Sequence, residues 1–459
     1  MASEQQVIDP GKKHDVPKVS CRRGWLSHGI KRVKGTSSTS NDHTNGLPLN
    51  DDILLRIFAV FLSMSDLVRC AATCSQWRHL VSRNAAYICR SMPRLDSFVR
   101  NLAMGFFYQK QEKEDGSCEA PFNVMLFMRF RQVSMGWFLS EERFRSAHLV
   151  ACRKGRLILE LRRASLAAVL SLVVCNPMTR EVLFLPPLSG KDRVGGYACV
   201  LLNADDSPCS SSGFCVLIVY NRRGSLVCRS YSSDTKNWGP EDSTTGAKVS
   251  SKCLHKMKAA TMVQNVVFWQ VERLLFGLCL DTLKAKLKDL SFPWYTDKYF
   301  FHCKENHLLA AWPDGMLGVV SVMVDSLVYV STCMIFVMFL NVGGDKLWNG
   351  WGSEENMISI DIQPFLPYGT TLVHLHGVCE QSGLIFFAAC SNWFGNITWR
   401  MYMLDLQRKV VQLLDVDNHC RGPENCKRFF PYEMDRATYL MSLGGRDFTQ
   451  ADHRHVNLV

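Results

Sequence analysis

Residues 47–81 read LPLNDDILLRIFAVFLSMSDLVRCAATCSQWRHLV. Cys70, Cys74 and His79 fall close enough together to suggest metal ligands, yet Leu67, Trp77, Leu80 and Val81 sit among them like one face of a packed helix. The pattern predicts three short helices. Asn50 is the expected cap of the first, with Asp51 and Asp52 favourable at the positive end of its dipole, and Ile53, Leu54, Ile57, Phe58 and Phe61 recur at helical spacing. Ser65 is the expected cap of the second, whose inward positions are Leu67, Cys70 and Ala71. Thr73 and Gln76 form an expected capping box for the third, which presents Trp77, Leu80 and Val81. A structural zinc site needs four ligands in a tetrahedron, and the fourth here would have to come from Cys89 or His43. The reading is therefore a helical module with packed thiols and no metal.

A module of roughly fifty residues cannot bury all these apolar side chains alone. Some of Leu47, Pro48, Leu54, Ile57 and Leu67 are expected to stay exposed, and such a set marks a protein interface. Leu47-Pro48, DDILLRIF, Asp66-Leu67, Cys74 and Trp77 together resemble the F-box. The extra Leu49-Asn50 and Thr73 before Cys74 depart slightly from the family pattern. The resemblance implies docking on a Skp-type adaptor and, through it, on cullin and RING subunits of a ubiquitin ligase. It places Leu47, Pro48, Ile53, Leu54, Ile57, Leu67 and Trp77 at adaptor-binding and core positions.

Composition fits a folded chain with a large core: 47% of residues are hydrophobic and 21% charged. The net charge of +11 is concentrated near the start, where residues 1–46 hold eight Lys or Arg against four Asp or Glu. That Gly/Ser/Lys-rich stretch reads as a disordered basic tail, and a nucleic-acid binder would more often carry a basic stripe on its folded part. The 19 Cys are scattered singly through apolar runs with no C-x-x-C pair, as expected for free thiols in a reducing compartment, cytoplasmic or nuclear. No secretory leader is expected, because residues 1–30 hold no continuous apolar run. Ser326–Val342 has 17 residues without a charge, but its Val, Tyr, Thr and Phe suit two buried strands better than a membrane helix.

Residues 91–144 read as a helical or mixed connection. Beyond them, over 145–445, short β-rich runs alternate with turn signals, and 446–459 reads as a tail. A loose repeat carries the turns CNPMTREVLFLPP (175–187), YSSDTKNWGP (231–240), CLDTLKAKLKDLSFP (279–293) and LDLQRKVVQLLD (404–415), the pattern of an all-β propeller. VCNPMTREVLFLPP, YSSDTKNW and the closing FPYEMDRATYLMSLGG resemble the F-box-associated, kelch-like propellers of plant F-box proteins. Gly-Gly pairs lack the regular Tyr and Trp partners of true kelch repeats, so the spacing fixes no blade number; six is the nearest.

No phosphate loop, nucleophile elbow, dinucleotide fingerprint or H-E-x-x-H stands in the chain. His374 and His376 are expected on one strand face, as core or rim histidines first and metal ligands second. Cys420, Cys426 and His419 read as a surface loop. No cofactor and no catalytic residue is assigned. The resulting expectation is a non-catalytic substrate-recognition subunit, with an F-box that docks to the adaptor and a β domain that holds an unknown protein for ubiquitination. An enzyme on a propeller scaffold and a nucleic-acid binder using the basic start are the alternatives. Aromatic residues in polar, turn-like segments are the expected substrate contacts: Trp294, Tyr295, Trp348, Trp351, Trp393 and Phe394.

Overall fold

The computed structural model describes residues 50–91, 98–99, 102–110, 122–126, 147–161, 169–179, 181–203, 213–290, 306–327, 330–342, 348–351, 357–393, 396–414 and 426–444, together with Phe144 and Asp206. Leu47 and Pro48, the tails 1–46 and 446–459, and the Cys420–His419 loop lie outside the described residues.

Four helices open the described chain. Asn50 caps α1 (Asp51–Phe61), its side-chain oxygen accepting the Asp52 N–H at 3.3 Å. Ser63, not Ser65, caps α2 (Met64–Thr73): Ser63 Oγ accepts the Asp66 N–H and the Asp66 carboxylate accepts the Ser63 N–H. The reciprocal pair satisfies two orphan donors at once, which Ser65 has no acidic partner to do. Cys74 caps α3 (Ser75–Arg83), Sγ accepting the Trp77 N–H at 3.5 Å. The box expected from Thr73 and Gln76 does not form, because Thr73 Oγ1 donates back to the Arg69 carbonyl and Gln76 Nε2 reaches Asp51. A further helix, α4 (Ala85–Ser91), completes the run.

Among the described residues the β domain is built of six sheets. The first is β3 (His148–Arg153), β4 (Arg156–Glu160), β5 (Leu172–Asn176) and β6 (Glu181–Phe184). The second is β7 (Tyr197–Asn203), β8 (Phe214–Arg222), β9 (Ser225–Ser232) and β10 (Asn237–Ser243). The third is β12 (Thr261–Val263), β13 (Val266–Val271), β14 (Leu274–Cys279) and β15 (Lys284–Asp289), extended by the parallel two-residue strand β11 (Thr245–Gly246). The fourth is β16 (His307–Ala311), β17 (Leu317–Leu327), β18 (Val330–Val342) and β19 (Trp348–Trp351), with β20 (Ile358–Asp361) also on β18. The fifth is β21 (Thr370–Val378), β22 (Leu384–Trp393), β23 (Asn396–Asp405) and β24 (Val410–Leu414). These five are antiparallel meanders, the blades of a propeller. The sixth sheet has three strands and joins the two halves of the chain: β1 (Ala103–Lys110) and β2 (Phe122–Leu126) pair with β25 (Cys426–Glu433).

Period-two alternation closes the ring. On β1, Phe107 packs with Leu149 and Leu157 of the first blade, while Phe106 and Tyr108 pack with Phe386 and Met403 of the fifth. On β7, Tyr197, Cys199 and Leu201 face the first blade, and Ala198, Val200 and Leu202 face the third. On β13, Trp269 turns to the second blade and Phe268 to the fourth. Val320, Ile335, Val373 and Phe387 fill the remaining gap between fourth and fifth blades. The inner and middle strands of the blades are thus covered on both faces and read as near-continuous apolar runs, whereas the outer strands β6, β10, β15 and β24 are largely exposed. The uncharged run 326–342 takes its place here as the end of β17 and all of β18. Among the described residues no helix is long and apolar enough to cross a membrane.

The 91–144 stretch, read as a connection, therefore supplies two strands of the closing sheet. A second departure lies at the other end. After β25 the chain leaves the sheet and forms α6 (Arg436–Leu443), capped by Asp435 and packed on α2, α3 and α4. Tyr439, Leu440 and Leu443 share one core with Leu67, Ala71, Val81 and Ile88. A short helix, α5 (Ser251–Lys256), sits in the loop before β12.

Candidate functional site

The first surface of interest is α1. Ile53, Ile57, Val60 and Phe61 follow i, i+4, i+7, i+8 and share one face. Ile53 is 48% exposed, Val60 55% and Phe61 77%. Of the five apolar residues at helical spacing, Leu54 and Phe58 turn into the core and Phe61 stays outside. Leu54 and Leu67, from the set of which some were expected to stay exposed, are both buried, Leu67 at the inward position its helical spacing predicts. For Leu67 the reason is α6, which enlarges the small helical core. Ile57 is half-buried against that core, and so is Trp77, whose ring meets Phe58 edge-on at 5.6 Å. An apolar stripe in water is stabilised by a covering partner, at about 1.5–3 kcal/mol for each large side chain buried.

The second is the mouth of the ring. Innermost strands β3, β7, β12, β16, β21 and β25 all start at one face, here the head, and end at the other, the foot. On β21, His374 and His376 lie edge-to-face at 4.9 Å, and Phe429 covers His376 at 5.0 Å. Burial, aided by nearby Lys258, lowers the His374 pKa to about 4, and burial with His374 and Lys258 lowers that of His376 well below the ordinary value. His307, hydrogen-bonded to Ser321 at 2.6 Å, is likewise lowered to about 4 by burial and by Lys258 and Arg273. Neutral imidazoles packed in this way are core groups. Among the described residues no three His, Cys, Asp or Glu side chains gather to hold a metal ion.

At the foot, Arg153 links three strand ends. It donates to Asp206 at 2.5 Å, to Glu380 at 3.0 Å and to the Leu201 carbonyl at 3.2 Å, and Lys154 reaches Asp206 at 3.1 Å. Burial raises the Asp206 pKa, but Arg153 and Lys154 overcome it and hold the carboxyl below its usual range. Beside it the Glu433 carboxylate accepts the N–H groups of Gln381 and Ser382 and the Ser382 hydroxyl. These buried groups are paired and act as a strut for the foot. No sequence pattern announces them, because their partners come from three separate blades and the closing sheet.

Of the expected substrate contacts, Trp294, Tyr295 and Phe394 lie outside the described residues. Trp348 and Trp351 belong to β19 rather than to a turn, pairing with Val342 and Leu340 of β18, and Trp393 ends β22.

Four short helices, the first of which carries an apolar stripe, find their counterpart among known families. Residues 47–91 form an F-box-like domain. The match covers the four helices α1 to α4 of the described structure. None of the curated proteins matches the chain. Among solved structures, hydrazine synthase from Kuenenia stuttgartiensis is similar with 9% identity and a TM-score of 0.30, over 59% of this chain and 66% of that one. The β-propeller domain of the Trilobed protease from Pyrococcus furiosus gives 8% identity and a TM-score of 0.29, over 60% and 84%. The chain thus spans just under two thirds of the hydrazine synthase chain. Likeness at this level carries no functional argument.

Proposed function

We propose that this chain is the substrate-recognition subunit of a Skp–cullin–F-box ubiquitin ligase. The F-box-like helices dock on a Skp-type adaptor, and the ring holds a target protein near the charged ubiquitin carrier. Catalysis then belongs to the cullin-RING and conjugating partners, and the chain contributes effective concentration. The observation that carries this reading is the exposed Ile53–Val60–Phe61 stripe on the first helix of an F-box-like domain. The assignment of the ring to the kelch-like propellers of plant F-box proteins, with cytoplasmic or nuclear residence, rests on VCNPMTREVLFLPP and its companion phrases and belongs to the same proposal. So do Leu47 and Pro48 as adaptor contacts and the six aromatic residues as substrate contacts. The test is co-purification with a Skp-type adaptor, which the stripe variants described below should abolish.

A further inference from the structure

We propose that the head of the second and third blades is a docking surface for an acidic segment of the protein this chain captures. The inference rests on the receptor reading for its partner but on its own residues for its chemistry. Four segments meet at this face: 185–196 and 247–260, which lead into β7 and β12, and the hairpin turns 221–225 and 271–274. Together they hold nine Lys or Arg and two carboxylates. Their contacts make them one surface. Asn221 Nδ2 donates to the Val249 carbonyl at 2.6 Å, Arg222 donates to the Lys191 carbonyl, and Lys258 Nζ donates to the His307 carbonyl at 3.2 Å.

Three carboxylates at the face are held by cations, and a fourth, Glu160 of β4, accepts the Tyr197 hydroxyl at 2.7 Å. Asp192 pairs with Arg229 at 3.0 Å, Glu272 with Lys256 at 3.3 Å, and Glu241 of β10 with Arg222. Asp242 and Asp289 stand farther out on the outer strands. Among the described residues Lys191, Arg193, Arg223, Lys248 and Lys252 are exposed and make no ion pair. Arg223 is held outward by a tight hairpin turn, with Arg223 and Gly224 both at positive φ (49° and 83°). The same turn keeps Arg222 turned to Glu241. A surplus of fixed positive charge at the mouth of a ring attracts and orients an anionic partner. Nucleic acid would ask for aromatic platforms beside the cations, and these four segments contain no Phe, Tyr or Trp. Helix α6, on which α2 to α4 pack, begins just after β25 ends at the foot, so a segment bound at the head leaves the adaptor surface open.

The test is fluorescence polarisation with a short labelled peptide of alternating Glu and Gly, competed by oligothymidylate. Three full-length proteins are compared: the natural chain, Lys191→Ser/Arg223→Ser/Lys248→Ser/Lys252→Ser, and a tail control, Lys31→Ser/Arg32→Ser/Lys34→Ser. The proposal expects peptide binding that weakens from about 0.05 to about 0.2 M salt, at least about tenfold weaker binding by the head variant, and no change in the tail control. Absence of peptide binding by the natural chain, equal loss in the tail control, or tighter binding of oligothymidylate than of peptide would each overturn it. Adaptor capture is measured on the same proteins. Loss of adaptor binding in the natural chain, with peptide binding intact, would sink the ligase reading and leave this surface standing.

Discussion

Phe106 and Phe429 stack at 4.4 Å between ring centres with an angle of 28°, and by doing so they tie the first β strand of the chain to the last. Phe106 is buried, faces Phe386 of the fifth blade at 5.5 Å, and stands where the ring closes. Phe106→Ala should therefore lower stability by about 3–5 kcal/mol. A denaturant titration reads this directly, and a loss below about 1 kcal/mol would mean that closure does not depend on the pair.

Leu440 of α6 is buried in the core of the F-box-like helices. Leu440→Ala is expected to cost about 2–5 kcal/mol and to weaken adaptor binding without touching the α1 stripe. Helical and β signals should melt together. A separate early transition of the helices in the natural chain would show that α6 does not couple the two parts.

Ile53, Val60 and Phe61 are exposed, so Ile53→Ser, Val60→Ser and Phe61→Ser should each change stability by no more than about 0.5 kcal/mol. Combined, they should weaken capture of a Skp-type adaptor by a hundredfold or more, at about 1.5 kcal/mol or above per side chain. Leu47→Ala with Pro48→Ala should act in the same direction. Undiminished capture by the triple variant, measured by surface plasmon resonance, would remove α1 from the interface.

Cys74 caps α3 with a sulfur, a weak acceptor. Ser is a preferred N-cap, so Cys74→Ser should stabilise the chain slightly, and Cys74→Ala should destabilise it by about 0.5–1 kcal/mol. A thermal melt that falls equally in both variants would show that the thiol matters for something other than the cap.

The acid limb of stability should carry two opposed contributions. Burial lifts the Glu433 carboxyl from 4.5 to about 7, so between those values the unfolded chain has lost a proton that the folded chain keeps, and rising pH weakens folding. For His307 and His374, burial lowers the imidazole from 6.5 to about 4, so acidification through that window protonates the unfolded chain first and weakens folding. With His376 shifted the same way, three imidazoles outweigh one carboxyl, and net stability should fall as pH drops below 6.5. Glu433→Gln should make that fall steeper and His374→Phe should make it shallower, as read from denaturant midpoints across the window. The opposite order would refute both assignments.

Much of this was legible in order and little of it in depth. The helical spacing of Leu54, Phe58, Leu67 and Ala71 and the turn phrases of the blades are local signals, and they placed a helical module before a β ring. Helical spacing alone does not say which of Ile53, Leu54, Ile57, Phe58 and Phe61 turn inward; the packed structure buries Leu54 and Phe58 and leaves Phe61 in water. The closing sheet and α6 were hidden for a different reason. Strand β1 reads as apolar and aromatic, but its partner β25 lies at the far end of the chain, and no local period reports such a pairing. The Arg153–Asp206–Glu380 strut is equally non-local. The surplus of cations at the head has no local signature because each segment holds only one to four, scattered between hydrophobic strands.

The position of α6 also bears on how the chain comes into being. On a ribosome the helices of residues 51–91 emerge early, whereas the helix that completes their core is made some 345 residues later. At about 5–20 residues per second that interval is roughly 20–70 s. Throughout it Leu67, Ala71 and Val81 lack the cover that Tyr439 and Leu440 will provide, so the nascent segment is a natural client for a chaperone or for early capture by its own binding partner.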